Sequence, residues 1–186
     1  MLFDVKHQPV AHAVVQQALL AGRLPHGLLL VGPSGVGKEM FAGGLGQLLL
    51  CPRPVKVRDG ARLAGVNESS LPPGLAPPSG AAWLDACGKC DSCRLVAAGT
   101  HPDLHLIYRK LHKFSEEARV RRQEGLELYI DVIKEFLIDV AAKKAALGHN
   151  KVFIVRDAHL MNAEAQNALL KTLEEPPAGT FLMLLT

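Results

Sequence analysis

The chain has 186 residues, of which 21 are basic, 18 are acidic and four are cysteines, and its formal net charge is +3. This length suits one α/β domain, or a domain with a small insert, and it allows a sizeable buried core. No apolar run approaches the roughly 18 residues of a membrane span, and the first six residues lack the pattern of a secretory signal. We therefore predict a cytoplasmic protein without a membrane partner. The mildly basic balance neither requires nor excludes nucleic acid.

Short apolar runs alternate along the chain with segments in which apolar residues recur every three or four positions. The runs are typical of buried parallel strands, and the longer spacing is typical of helices. Because strands and helices alternate, we predict an α/β fold with a three-layer parallel sheet. The predicted strands cover 28–31, 104–107, 152–155 and 181–185, and the predicted helices cover 9–21, 38–50, 131–147 and the segment after Asn162.

The ends of two predicted helices carry capping signals. Asn162 is a good N-cap for the last helix, and Pro176-Pro177 ends it. Gly148 occupies the position expected for the C-cap glycine of helix 131–147. The last helix has Ala165, Leu169 and Leu173 on one face.

Glycines interrupt the helix predicted over 38–50. They are Gly43, Gly44 and Gly46, and each costs on the order of 1 kcal/mol relative to alanine. This composition indicates either close packing or weak local order, and the sequence leaves both interpretations open.

Two segments lack a sustained apolar period. Residues 52–82 contain six prolines and four glycines and are predicted to be an irregular insert. Half of residues 109–128 are charged, and we predict an exposed loop or hairpin there. Six basic and four acidic residues in this segment indicate a solvated loop more than a DNA surface.

A phosphate-binding loop follows the first predicted strand. The segment Gly32-Pro33-Ser34-Gly35-Val36-Gly37-Lys38 fits G-x-x-x-x-G-K, in which backbone N–H groups and the lysine hold phosphate oxygens. The next residue should be Ser or Thr, whose hydroxyl binds Mg²⁺, but it is Glu39. This carboxylate would repel phosphates. A tight glycine turn without nucleotide is therefore the alternative interpretation of the motif.

The end of the third predicted strand departs from the same chemistry. Phosphoryl transfer in this fold class uses an acidic residue after an apolar strand to hold Mg²⁺. Here the strand is followed by Arg156-Asp157-Ala158-His159. Active proteins have two adjacent acidic residues here. Whether Arg156 or Asp157 is aligned with the first of them, this chain retains only one acid of the two. An ordinary strand-end carboxylate is the favoured interpretation of Asp157. We predict no Mg²⁺-ATP hydrolysis and no catalytic residue. Because of the same departures, ATP binding itself is doubtful.

All four cysteines fall in or beside the insert. Cys87, Cys90 and Cys93 have the spacing C-x₂-C-x₂-C, and Cys51 lies across the insert from them. This spacing allows four thiolates to surround one structural Zn²⁺. We predict a zinc module over 51–93. Free thiols, a redox pair and an Fe–S cluster are the alternatives.

A series of motifs resembles a known family. They are His7-Gln8-Pro9-Val10, Gly22-Arg23-Leu24-Pro25-His26-Gly27, the phosphate loop, the four cysteines and Asn167-Ala168-Leu169-Leu170-Lys171-Thr172-Leu173-Glu174-Glu175-Pro176-Pro177. Together they run through nearly the whole chain, and the last one is the most specific. The sequence is similar to the N-terminal AAA+ domain of bacterial DNA polymerase III clamp-loader subunits.

The residues that differ from the active motif indicate which subunit type within this family the chain resembles. Tau/gamma motor subunits have Thr after the loop lysine and an Asp-Glu pair after the third strand, where this chain has Glu39, Arg156 and Asp157. The chain therefore resembles the delta-prime subunits, which have no ATPase activity of their own. The length of the segment between Cys51 and Cys87 departs from the compact tau/gamma spacing.

The resemblance implies a role in DNA replication. A delta-prime subunit is a rigid stator that joins delta and tau/gamma subunits in a ring, and the ring loads the sliding clamp on primed DNA. The family's arginine-finger segment, lid and collar would follow residue 186, and Thr186 itself falls near the polar sensor position of the family. An active tau/gamma-like motor is the competing interpretation, and a nucleic-acid-binding zinc protein is a third.

Overall fold

Six strands form two sheets in the computed structural model, which describes residues 2–5, 8–58, 71, 82–148 and 150–186. The strands are β1 (Gly27–Leu30), β2 (Val55–Val57), β3 (Trp83–Asp85), β4 (Leu104–Ile107), β5 (Lys151–Val155) and β6 (Thr180–Leu185). The order β1–β6–β5–β4 gives one sheet in which every pair is parallel, whereas β2 and β3 pair antiparallel. The mixed α/β class with a parallel sheet is confirmed. Its three-layer arrangement stays a prediction.

The helices agree with most of the predicted segments. They are α1 (Pro9–Leu20), α2 (Lys38–Leu50), α3 (Asp91–Ala97), α4 (Ala118–Arg121), α5 (130–141) and α6 (Ala163–Glu174), with 3-10 turns at Leu2–Asp4, Arg109–Phe114 and Ala158–Leu160. In the described part of the chain, no helix is long and apolar enough to cross a membrane.

The chain divides into two compact units. One contains residues 1–25 and 40–100, and the other contains residues 26–39 and 101–186. Most of the predicted irregular insert, at 59–70 and 72–81, lies outside the described residues, as does His7.

The unit with the parallel sheet is built around β5. All five of its residues are buried, which explains why the strand is an unbroken apolar run after Lys151. Core residues from β5 and β6 pack with α5 and α6. The fully or nearly fully buried members include Leu128, Ile133, Leu137, Phe153, Val155, Leu169 and Leu182.

Helix α6 begins and ends where its signals predict. The Asn162 side chain accepts a hydrogen bond from the Ala165 N–H at 2.9 Å, which confirms the N-cap. Ala165 and Leu169 are buried, and Leu173 packs against the same core. The helix ends at Glu174, before the two prolines.

The prediction of one helix over 131–147 was wrong at its end. Helix α5 contains a π turn at Lys134–Ile138 and stops at Ala141. A lysine from β5 caps this end, since Lys151 Nζ donates hydrogen bonds to the carbonyl oxygens of Val140 (2.8 Å) and Ala141 (2.5 Å). These carbonyls belong to the last turn and have no partner within the helix.

The segment after α5 is held by a second distant residue. The Asp103 carboxylate accepts hydrogen bonds from the backbone N–H groups of Ala146 (2.6 Å) and Leu147 (2.9 Å). Both residues therefore lie in a non-helical segment that follows α5. Gly148 is not the C-cap of a helix, because α5 has already ended seven residues earlier, counting from Ala141 to Gly148.

The prediction of an exposed loop or hairpin over 109–128 was also wrong. The segment forms the 3-10 turn Arg109–Phe114 and the short helix α4. Five of its residues are buried: His112, Ser115, Val120, Gly125 and Leu128. The sequence did not reveal these buried residues, because they lie among charged residues and are too far apart to give a regular apolar period.

The other unit packs around an aromatic cluster. The buried His12 ring meets Phe41 edge-on, with centroids 5.2 Å apart, and stacks on Trp83 at 6.3 Å. Gly44 and Gly46 of α2 are also buried. The helix is continuous from Lys38 to Leu50, so close packing is the interpretation of its glycines that the structure supports.

A glycine turn in the segment 109–128 provides a stability test. Gly125 has φ +70°, and a Cβ there would lie 2.4 Å from Cε1 of His112. The ring cannot easily move, since His112 is buried and its Nδ1 lies 2.7 Å from the Arg109 carbonyl oxygen. We expect Gly125→Ala to lower the free energy of unfolding by about 2–4 kcal/mol, measured by urea denaturation.

The matched control is Gly35→Ala in the same unit. Gly35 has φ +81° but nothing within 4 Å of the added Cβ. Only the backbone strain of about 1–2 kcal/mol should appear. Equal losses for the two variants would show that the His112 ring does not resist the added methyl group.

Candidate functional site

The glycine loop lies between β1 and α2. Gly35 and Gly37 have φ values of +81° and +95°, which glycine adopts at little steric cost. Helix α2 begins at Lys38, the last residue of the motif. The strand, loop and helix therefore follow each other as the motif requires.

The motif lysine is bound to the loop itself. Lys38 Nζ donates hydrogen bonds to the carbonyl oxygens of Gly32 at 2.6 Å and Pro33 at 2.8 Å. These bonds tie the first residue of α2 to the start of the loop. In an active site of this type the same ammonium holds phosphate oxygens.

The two residues that depart from the active motif, Glu39 and Arg156, are in contact with each other. Arg156 Nη2 donates a hydrogen bond to Glu39 Oε1, and the two side chains form an ion pair. Arg156 follows directly after β5, and its N–H donates to the Ile107 carbonyl oxygen of β4 at 2.8 Å. The sequence identified both residues but gave no signal that they are partners.

Asp157 does not take the place of Arg156 in this contact. Its side chain is exposed, and its φ of +52° is the one positive value at a non-glycine residue in the described part of the chain. Aspartate tolerates this left-handed conformation better than most residues. Arg156 therefore reaches the first turn of α2, and Asp157 lies at the surface.

These residues do not fit a Mg²⁺-nucleotide site. Such a site needs a hydroxyl after the loop lysine and a carboxylate after the strand, both directed at the cation. Here a carboxylate stands at position 39, and the guanidinium of Arg156 already neutralises it. A guanidinium beside the loop repels a divalent cation.

Thr186 lies beside the strand that leads into the loop. Its backbone N–H donates a hydrogen bond to the Leu30 carbonyl oxygen at 3.1 Å. This bond continues the pairing of β6 with β1 beyond Leu185. The predicted sensor-like position is thus next to the glycine loop in the same unit.

The four cysteines form one cluster in the other unit. Their sulfur atoms all lie within 4.8 Å of one another, and Cys51–Cys90 and Cys87–Cys93 are each separated by 3.9 Å. Disulfide sulfurs would be about 2 Å apart. Sulfurs around a tetrahedral Zn²⁺ with Zn–S bonds of about 2.3 Å lie roughly 3.8 Å apart. The donor set and its spacing therefore fit zinc, with the four cysteines as the residues that would hold it.

Local backbone geometry turns the thiols toward one point. Cys51 follows the end of α2, and Cys90 is the N-cap of α3. The N–H groups of Cys87, Cys90 and Cys93 each lie 3.4 Å from the sulfur of another cysteine in the cluster. Gly88 has φ +67°, which permits the tight turn between Cys87 and Cys90.

Two polar side chains join the elements that carry the cysteines. The cysteine spacing in the sequence did not identify them. Gln47 of α2 donates to the Cys93 carbonyl oxygen at 3.2 Å, and Ser92 donates to the Leu50 carbonyl oxygen at 2.8 Å. Both bonds join the end of α2 to α3. Residues that orient metal ligands are typically found in such positions.

The cysteine thiols differ in acidity. Hydrogen bonds from the Lys89 and Cys90 backbones lower the pKa of Cys87 to about 6. Burial raises the pKa of Cys51 and of Cys93 above the usual value for a thiol. Cys87 therefore forms a thiolate near neutral pH, whereas Cys51 and Cys93 keep their protons in the absence of a metal.

Comparisons with known proteins agree with the motifs. Residues 79–186 match the family described as "DNA polymerase III, delta subunit". The chain is 35% identical over 176 residues to the DNA polymerase III subunit delta' of Pseudomonas aeruginosa, covering 92% of this chain and 42% of that protein. It is 32% identical over 166 residues to the Escherichia coli delta' subunit, covering 89% of this chain and 38% of that protein.

A tau subunit is also similar. The chain is 29% identical over 183 residues to the DNA polymerase III subunit tau of Salmonella typhimurium, covering 98% of this chain and 22% of that protein. The chain thus spans well under half the length of each of these three relatives.

Cys87 provides a chemical test of the cluster. In metal-free protein, we expect iodoacetamide to modify Cys87 first, because its thiolate predominates above about pH 6. The initial rate should rise as the pH rises through about 6 and then level off, as measured by peptide mass spectrometry. One equivalent of Zn²⁺ should suppress the reaction. Modification of all four cysteines at equal rates would contradict the assigned hydrogen bonds.

Proposed function

The chain belongs to the DNA polymerase III delta subunit family, and on this premise we propose that it is a non-hydrolysing stator subunit of a bacterial clamp loader. In this role it helps to load the sliding clamp on primed DNA during replication. The delta' relatives support this assignment because the similarity covers about nine-tenths of the chain.

The observation that carries the non-hydrolysing assignment is the ion pair between Glu39 and Arg156. It places a carboxylate and a guanidinium at the two positions that hold Mg²⁺ in active proteins of this fold class. The two charges compensate each other, so neither is free to bind the cation that accompanies ATP. ATP binding is therefore weak or absent, and hydrolysis does not follow.

An active motor is the competing function. The similarity to a tau subunit and the retained glycines support it. Against it stand Glu39 and Arg156, since the motor pattern has Thr and an acidic pair at positions 39 and 156–157. The two functions differ in whether this chain itself binds Mg²⁺-ATP.

The proposed partners follow from the family. They are the delta and tau/gamma subunits in a hetero-oligomeric ring, with the sliding clamp and primed DNA reached through the complex. A structural Zn²⁺ on Cys51, Cys87, Cys90 and Cys93 would fix the end of α2 to α3, where Gln47 and Ser92 already join the same elements. With four sulfur ligands the ion has no open position, so its contribution is to folding.

Mg²⁺-ATP binding tests the stator assignment directly. By titration calorimetry on the full-length protein, we expect no Mg²⁺-dependent binding at ATP concentrations up to about 1 mM, equivalent to about −4 kcal/mol. The multiple substitution E39T/R156D/D157E restores the hydroxyl and both acids, and it should introduce Mg²⁺-dependent affinity. E39T alone leaves Arg156 unpaired beside the loop and should not. Micromolar binding by the unmodified protein would favour the motor function.

Reconstitution tests the role in the complex. Mixed with delta and tau/gamma subunits of its own organism, the full-length protein should elute with them in one complex on size exclusion. ATP hydrolysis by that complex should be abolished by replacing the phosphate-loop lysine of the tau/gamma subunits, because this chain contributes no hydrolysis. Residual ATP turnover in that mixture, or turnover by the isolated chain, would contradict the proposal.

A further inference from the structure

We propose that the Glu39–Arg156 ion pair is a built-in replacement for the Mg²⁺-nucleotide bridge and holds the glycine loop in one conformation without any ligand. This inference rests on the proposed non-hydrolysing function and deepens it. It makes Arg156 a positioning residue, which acts on the loop through Glu39.

The pair lies at the end of the sheet where β1 and β5 both finish. Glu39 is in the first turn of α2, directly after the loop, and Arg156 directly follows β5. β1, which leads into the loop, is separated from β5 by β6. The pair therefore connects the residues that follow β1 and its loop to the residue that follows β5, across the intervening β6 and over 117 residues of sequence. In active proteins of this class, a bound nucleotide and its cation make this connection.

Both residues of the pair are held in place by their own backbones. The Arg156 backbone N–H is bonded to the Ile107 carbonyl oxygen at 2.8 Å, which fixes its position against β4. Glu39 is in the first turn of a helix, where a carboxylate also interacts favourably with the helix dipole. The pair is thus a link between a buried strand and the helix that closes the loop.

The residue next to Glu39 binds the start of the loop. Lys38, adjacent to Glu39, donates to the carbonyl oxygens of Gly32 and Pro33. The two contacts act in series, because one joins Lys38 to the start of the loop and the other joins its neighbour Glu39 to Arg156. The second contact pairs two side chains at positions where an active site would hold Mg²⁺.

The expected size of the effect follows from exposure. The side chains of Arg156 and Glu39 are 38% and 49% exposed, so water and salt screen their attraction. Pairs of this kind change an equilibrium by about two- to fivefold. The loop should therefore open measurably more often when the pair is removed, without unfolding of the sheet.

The test is amide hydrogen exchange of residues 34–38 in the ligand-free full-length protein, read first at Val36, whose N–H donates to the Pro33 carbonyl oxygen at 3.4 Å. Glu39→Gln and Arg156→Gln should each raise the exchange rate of these amides about two- to fivefold, and the double variant should raise it no further. The exchanged pair E39R/R156E should recover part of the protection. The differences should shrink at about 1 M salt, where the Debye length is about 3 Å.

The controls separate this contact from general changes. Arg119 forms ion pairs with Glu117 and Asp131 in the same unit, so Arg119→Gln should leave the exchange of residues 34–38 unchanged. Arg156→Lys keeps the cation and should retain most of the protection, which guards against a variant that simply folds poorly.

The inference is overturned if Arg156→Gln leaves the exchange unchanged, or if the two single effects add in the double variant. Neither result affects the stator function, which Mg²⁺-ATP titration of the unmodified protein decides separately. Micromolar Mg²⁺-ATP binding with further slowing of loop exchange would overturn both, because the loop would then still depend on nucleotide.

Discussion

The hydrogen bonding of β5 within the sheet is the constraint on which the glycine-loop site depends. The strand is buried along its whole length and is paired with β4 on one side and β6 on the other. Its first residue, Lys151, is bonded through Nζ to carbonyl oxygens of α5, and a slip of one residue would turn this lysine to the opposite face and break those bonds. The backbone of Arg156 is therefore held in one position, from which its side chain binds Glu39 in the first turn of α2.

Much of the sheet and part of the site could be predicted from the sequence because the relevant signals are local. A strand buried on both faces must be apolar throughout, and the four parallel strands were found within one residue at each end. Asn162 and the two prolines mark the ends of α6 by backbone chemistry alone. The spacing of Cys87, Cys90 and Cys93 likewise predicted a cluster that the structure brings together with Cys51.

The features that could not be predicted depend on residues far apart in the chain. At the early end of helix α5, Lys151 and Asp103 bind the backbone at and beyond the last turn, and neither residue belongs to the local pattern. Glu39 and Arg156 were recognised separately as departures from a motif. Only the folded chain shows that they form a single contact, since no periodicity relates positions 117 residues apart.

The unequal acidity of the cysteines has a consequence for how the chain responds to its surroundings. Zinc binds thiolates, so uptake of the ion by this cluster would release the protons that burial keeps on Cys51 and Cys93. Protons and metal would then compete for the same sulfurs, and the affinity for metal would fall as the medium becomes more acidic. Through this exchange, the stability of the unit that contains the cluster would depend both on the free zinc concentration and on pH.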